Sequence, residues 1–208
     1  MTSMITIGLL GGVASGKSLV ASMLAKLGAG VLDADRTGHD ILANDPAVTR
    51  QLADHFGPGI VSSNGHIDRT ALGEMVFGND PVALANRRIL EGVLHPAIGA
   101  QLEQEAGALA KSSCKVLVLD APLLLEAGWD SLCDLLVFVD TPAERRREFA
   151  TERGWDNEEI DLRETAQIDL SEKRRLASTC LENRGDAESL TQEVYQFWKN
   201  VVVPQLDG

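Results

Sequence analysis

The chain has 208 residues, 44% hydrophobic and 24% charged, which suits one soluble α/β domain with insertions and a sizeable core. A net charge of −12 disfavours nonspecific binding to nucleic acid, and no apolar run reaches the length of a membrane span. No basic N-terminal region leads into an apolar stretch and cleavage site, so a cytoplasmic location is expected, without nucleic-acid or membrane partners.

In chain order, Ile5-Thr6-Ile7-Gly8-Leu9-Leu10 is an apolar, partly β-branched run that reads as a buried first strand. Gly11-Gly12-Val13-Ala14-Ser15-Gly16-Lys17-Ser18 then fits G-x-x-x-x-G-K-[ST], the phosphate-binding loop. Leu19, Val20, Met23, Leu24 and Leu27 recur at helical spacing, so the loop opens a helix. Glycines let such a backbone turn tightly and aim successive N–H groups inward, and the helix N-terminus adds partial positive charge. The expected nucleotide site is therefore Gly12, Val13, Ala14, Ser15, Gly16, Lys17 and Ser18, with Lys17 reaching the β- and γ-phosphates and the Ser18 hydroxyl ligating Mg²⁺. A glycine-rich turn with a chance lysine is the bland alternative. Eight fitting positions between a strand and a helix argue against it.

Gly28-Ala29-Gly30 stops the helix, and Val31-Leu32-Asp33-Ala34-Asp35 reads as a second strand with acids at its C-terminal end. Ligands of open α/β sheets bind beyond the carboxyl ends of the strands. Strand alternation would put Asp33 and Asp35 on one face, toward the phosphates; the other reading is a pair of acids capping the next helix. From residue 37 to 112 there is no strong strand signal. Leu52, Phe56, Leu72, Met75, Val76, Leu84, Ile89, Leu90, Val93 and Leu94 mark helices, punctuated by Asp45-Pro46, Gly57-Pro58-Gly59 and Asn79-Asp80-Pro81. A stretch this long is not a loop of a compact domain, and it reads as a helical insertion that holds a second substrate. His95-Pro96 lies within it, and a lone histidine is more often structural than a ligand contact.

Lys115-Val116-Leu117-Val118-Leu119-Asp120 is the clearest buried strand, and its terminal Asp120 is a candidate to orient Mg²⁺ or its waters. Leu135 to Asp140 forms a further strand, and strands alternating with helices imply a parallel sheet with helices on both faces. Arg145, Arg146, Arg147, Arg153, Arg163, Lys173, Arg174 and Arg175 follow among interspersed acids. They form either a solvated charged helix pair or a lid whose arginines close on a triphosphate. Thr179 to Asn183 reads as a last short strand, and Leu190, Val194, Phe197 and Trp198 as a C-terminal helix. Cys114, Cys133 and Cys180 form no C-x-x-C pair and read as small buried hydrophobes.

Several motifs resemble one family in order over nearly the whole chain: Gly8 to Ser18, Asp33-Ala34-Asp35 with His39, Gly65-His66-Ile67-Asp68-Arg69 with Leu72 and Phe77, His95-Pro96, Asp120-Ala121-Pro122-Leu123-Leu124-Leu125-Glu126, Arg153-Gly154, Gln167, and Asn183 with Gly185. The set resembles the dephospho-coenzyme A kinases. The resemblance implies a three-layer P-loop NTPase fold with a parallel five-stranded sheet. Its nucleotide-binding core would be residues 1–36, 113–143 and 179–208, with a helical coenzyme-binding insertion at 37–112 and a lid at 144–178. It implies transfer of a phosphoryl group from ATP, with Mg²⁺, to the 3′-hydroxyl of dephospho-coenzyme A, the last step of coenzyme A synthesis. Asp35 looks like the catalytic carboxylate, and Asp33 like its support or part of the metal shell. Lys17 would neutralise developing charge, Ser18 and Asp120 would serve the metal, and Arg153 would be the lid arginine. Asn183 lies where the family contacts adenine, and Arg69, His95, Leu123 and Glu126 would line the coenzyme pocket.

Four positions depart from the family pattern. Ala14 replaces a usual glycine, which calls for a negative φ there, and Phe149 replaces a usual arginine, whose charge Arg146 or Arg145 would supply from one turn earlier. Ala121 replaces a larger aliphatic residue, and Ala177-Ser178 an alanine-aspartate pair. The competing readings are another P-loop nucleoside or small-molecule kinase and a nucleotide-binding switch. A monomer or small homo-oligomer is expected.

Overall fold

The computed structural model describes residues 4–78, 80–112 and 114–206. Asn79 of the Asn79-Asp80-Pro81 break, residue 113 at the expected start of the second core segment, and the chain ends 1–3 and 207–208 lie outside them. The chain divides into two compact units, residues 1–33 with 105–208, and residues 34–104.

The first unit is built on five parallel strands, β1 (Ile5–Gly11), β2 (Gly30–Asp33), β3 (Val116–Asp120), β4 (Leu135–Asp140) and β5 (Thr179–Glu182), in the order β2-β3-β1-β4-β5. The central strand β1 pairs with β3 on one side (Ile7 opposite Val118) and β4 on the other (Leu9 opposite Val137). A strand so placed has both faces covered, which is why β1 and β3 are continuous apolar runs instead of alternating ones. Ile5, Ile7, Leu9, Val116, Val118, Val137 and Val139 form one core with Val20 and Leu24 of α1 (Lys17–Lys26) and Leu190, Val194 and Phe197 of α9 (Ala187–Phe197). The intervening side chains Leu10, Leu117, Leu119 and Phe138 are buried as well.

Between β4 and β5 lie α6 (Ala143–Glu152), α7 (Asn157–Thr165) and α8 (Leu170–Leu176). Ala150 and Ile160 of this segment pack with Val13 and Ala14 of the glycine loop, flanked by Phe149 and Trp155. The N-termini of α7, α8 and α9 are capped by Asp156, Asp169 and Asp186, whose carboxylates accept backbone N–H groups that the helix leaves unpaired. After α9 the chain continues through a π-helical turn, Trp198–Val202, into α10 (Val203–Leu206).

The second unit is helical: α2 (Ala34–Asn44), α3 (Pro46–Phe56), α4 (Arg69–Val76) and α5 (Pro81–Lys111), the last turns of α5 belonging to the first unit. Asp45 caps α3 by accepting the Ala47 and Val48 N–H groups, with Pro46 at the first helical position. Asp68 caps α4 in the same way through Thr70 and Ala71. An isolated antiparallel bridge joins Val61 and Ile67 before α4.

Two local expectations change. The second strand ends at Asp33, where its ladder with β3 closes opposite Asp120, and Ala34 already starts α2. Strand alternation therefore does not relate Asp33 to Asp35. Asp35 sits in the first turn of α2, where the helix dipole favours a carboxylate. The three cysteines are free and half-buried instead of fully buried. Burial, with the charges of Asp130 and Asp134, pushes the Cys133 thiol up to about 12, so it stays protonated and unreactive at neutral pH.

Candidate active site

The glycine loop joins β1 to α1 and turns on two residues in the left-handed region, Ala14 at φ +55° and Gly16 at φ +90°. The negative φ expected for Ala14 is thus wrong. An alanine there costs about 1 kcal/mol relative to a right-handed conformation. Burial of its methyl group against Val13, Ala150 and Ile160 offsets this. The Ser15 N–H closes the turn onto the Gly12 carbonyl at 3.2 Å.

Lys17 is 9% exposed, and its ammonium donates to the carbonyls of Gly11 (3.2 Å) and Gly12 (2.9 Å), so it lies along the loop. Ser18, one residue on, donates its hydroxyl to the Asp120 carboxylate at the end of β3. Burial pushes the Asp120 carboxyl above its ordinary range; the Ser18 hydroxyl and the Lys17 and Arg153 charges pull the other way, while Asp33, its partner in the ladder, adds to the rise. The charges of Lys17, Asp33 and Arg153 are thus all felt at Asp120, at the carboxyl end of β3. Arg153 closes α6 as its C-cap, with its guanidinium over the Trp155 ring at 5.6 Å.

The two arginines considered in place of the one missing at Phe149 separate in space. Arg146 pairs with Glu164 and donates to the Val13 carbonyl at 3.4 Å. It lies so close to the loop that a Cβ on Gly12 would stand 2.6 Å from its Nη1, so a larger residue there would displace the guanidinium. Arg145 instead stacks on Phe149 itself, 5.0 Å from the ring centroid. Further along, Arg174 and Arg184 bind the Asp140 carboxylate at 2.9 and 2.6 Å. Partial burial raises this carboxyl's pKa, but the two guanidinium hydrogen bonds outweigh it and hold the group below its ordinary range.

Asn183, read from the sequence as an adenine contact, is 3% exposed and donates from Nδ2 to the Ser15 carbonyl at 3.1 Å. Glu126, read as part of the coenzyme pocket, accepts the Ile168 N–H at 2.6 Å and pairs with Lys173 at 3.2 Å. Lys173 is 2% exposed and also donates to Gln167 at 3.0 Å. These bonds tie the start of α8 to the segment after β3. Lys173→Met should destabilise the protein by roughly 3 kcal/mol, because it leaves a largely buried carboxylate without its countercharge. Adding Glu126→Gln, which keeps an acceptor for the Ile168 N–H, should recover part of that loss in urea denaturation. Equal stability of Lys173→Met and wild type would show the pair to be dispensable.

The remaining expected residues are distributed over both units. Leu123 is half-buried in the first. Asp35 in α2, the exposed Arg69 opening α4 and the half-buried His95 within α5 belong to the second. Sequence reading missed Thr141 and Glu164, and it named Lys173 only as one of the basic residues of the lid. A threonine after a strand, or one buried lysine in a run of mixed charge, carries no local signal that distinguishes it.

Among known proteins, the dephospho-CoA kinase family model (CoaE) matches residues 5–189. A dephospho-CoA kinase of Geobacillus kaustophilus is 39% identical over 197 residues, 94% of this chain and 96% of that protein. A crystal structure of a Thermus thermophilus protein superposes with a TM-score of 0.78 at 32% identity, covering 96% of this chain and 98% of its own. The dephospho-CoA kinase from Campylobacter jejuni does so with a TM-score of 0.68 at 26% identity, covering 94% and 96%. The sheet order, the loop and these likenesses agree: the chain belongs to the dephospho-CoA kinase family.

Proposed function

We propose that this protein carries out the reaction of its family, ATP-dependent phosphorylation of dephospho-coenzyme A, at the 3′-hydroxyl, to give coenzyme A and ADP. The observation that carries the reading is the group of Lys17, Ser18 and Asp120 beside a glycine loop that opens α1, an arrangement suited to a nest of backbone N–H groups for an anion at a helix N-terminus. In this reading the loop cradles the triphosphate, and Lys17 exchanges the Gly11 and Gly12 carbonyls for phosphate oxygens. Arg146 and Arg153, on a lid spanning residues 144–178, offset the charge that builds on the transferred group. Asp35 accepts or orients the proton of the attacking hydroxyl, and Arg69, His95 and Leu123 bind the coenzyme, most of whose site is the helical insertion 37–112.

Mg²⁺ fits the donor set, because a serine hydroxyl and a carboxylate are hard oxygen ligands and Mg²⁺ keeps several waters beside its few protein contacts. Ser18 and Asp120 would hold it, directly or through water, with Asp33 alongside. Held there, the cation would supply positive charge to offset that of the phosphates. Among the described residues no helix is long and apolar enough to cross a membrane. A cytoplasmic monomer or small homo-oligomer acting on free small molecules is the setting of this proposal.

The test is an ADP-release assay with ATP, Mg²⁺ and dephospho-coenzyme A, with mass spectrometry and phosphorus NMR on the product. A product heavier by one phosphate, carried on the ribose 3′ oxygen, is expected. Efficient phosphorylation of a nucleoside with none of dephospho-coenzyme A would overturn the acceptor.

A further inference from the structure

Two buried donors from distant parts of the chain converge on one carbonyl of the glycine loop. The Ser15 carbonyl accepts the Thr141 hydroxyl at 2.6 Å and the Asn183 amide at 3.1 Å. Thr141 directly follows β4 and Asn183 directly follows β5, and the Asn183 N–H donates to the Asp140 carbonyl at 2.9 Å. The two donors are thus fixed to each other by the sheet before either meets the loop. Ser15, Thr141 and Asn183 are 1%, 7% and 3% exposed, so water does not compete for these bonds.

The consequence lies on the other side of the same peptide. The described chain holds no cis peptide bond, and in a planar trans peptide the C=O and the following N–H point in opposite directions. Holding the Ser15 oxygen toward β4 and β5 turns the Gly16 N–H away from the sheet, toward the phosphate side of the loop. The neighbouring backbone does not enforce this orientation. Gly16 has φ +90°, and glycine moves between conformations at little cost. A Cβ on Gly16 would also stand 2.9 Å from the Asn183 Nδ2, so the glycine and the asparagine are matched.

We propose that Thr141 and Asn183 are positioning residues that lock the Ser15–Gly16 peptide, so that the Gly16 N–H is preset to bind nucleotide phosphate. This rests on the phosphate-loop reading above but not on the identity of the acceptor. Asn183 on this view acts on the phosphates through the loop, not through adenine alone.

Isothermal titration of ADP and of inorganic tripolyphosphate, with no acceptor present, tests it. Thr141→Val removes the hydroxyl at nearly constant volume and should weaken both ligands by about 10-fold, the loss expected for one buried hydrogen bond that presets a binding group. Thr141→Ser should bind like wild type. In turnover with dephospho-coenzyme A, Thr141→Val should raise the KM for ATP and lower kcat without changing the KM for the acceptor. A folded Thr141→Val with wild-type affinity for both ligands overturns the proposal, as does a Thr141→Ser as weak as the valine variant. If Thr141→Val does not fold, Asn183→Ala decides. Weakened tripolyphosphate binding supports the brace, whereas loss on ADP alone makes Asn183 an adenine contact and overturns its role here. A wild-type protein that binds both ligands yet fails to phosphorylate dephospho-coenzyme A would refute the proposed reaction and leave this inference standing.

Discussion

Lys17→Ala is expected to lower kcat/KM for ATP by roughly 10³-fold, the scale of losing a charged donor that stabilises a transition state in a water-poor site. The side chain is nearly buried and bonded to the Gly11 and Gly12 carbonyls, so its ammonium is already held at the loop before any phosphate arrives. Little reorganisation is then needed when phosphate oxygens replace those carbonyls, and that preorganisation is the source of the large effect. Both terms should suffer: ADP should bind more weakly by titration, and single-turnover chemistry should slow. A thermal melt is the control, since the two carbonyls also lose their donor. A folded variant with rate and affinity within a few-fold of wild type would remove Lys17 from the phosphate site.

Asp35→Asn should retain ADP affinity and lose about 10²-fold or more in kcat, the scale of a missing general base. The substitution preserves shape, and an amide is tolerated in the first turn of a helix, so α2 should form as before. The separation of effects distinguishes it from Lys17→Ala: nucleotide binding stays, turnover goes. Asp33→Asn is the informative companion. Asp33 ends β2 opposite Asp120, and it acts on the electrostatics of that buried carboxyl. Its loss should show in the Mg²⁺ dependence of the rate before it shows in kcat at saturating metal. A wild-type rate for Asp35→Asn would transfer the catalytic carboxylate to another residue.

The departures at Ala14 and Phe149 were visible as letters, but their consequences were not. Ala14 takes a left-handed conformation that its type disfavours, because the small cluster with Val13, Ala150 and Ile160 buries its methyl group. Phe149 takes a ring-stacking role with Arg145, and Arg146 is the one laid against Gly12. A one-residue difference in sequence thus separates a guanidinium on the loop from one on a ring, since consecutive helical residues point about a quarter-turn apart.

The strands, the loop between β1 and α1, the helical character of residues 37–112 and the acids at the strand ends were legible in the chain. Burial on one face of a helix leaves a period, and burial on both faces of a central strand leaves a continuous apolar run, in residues only a few positions apart. The loop was legible for a related reason, since glycine, lysine and serine at fixed spacing act through backbone next to themselves. The order β2-β3-β1-β4-β5 and the partners of single polar side chains came from the tertiary structure alone. Thr141 and Asn183 reach Ser15 across 126 and 168 residues, and Glu126 meets the Ile168 N–H across 42. A hydrogen bond between such distant positions leaves no period in the sequence. Only the packing of the sheet and helices decides which buried donor meets which acceptor, and so which polar residues brace the phosphate loop.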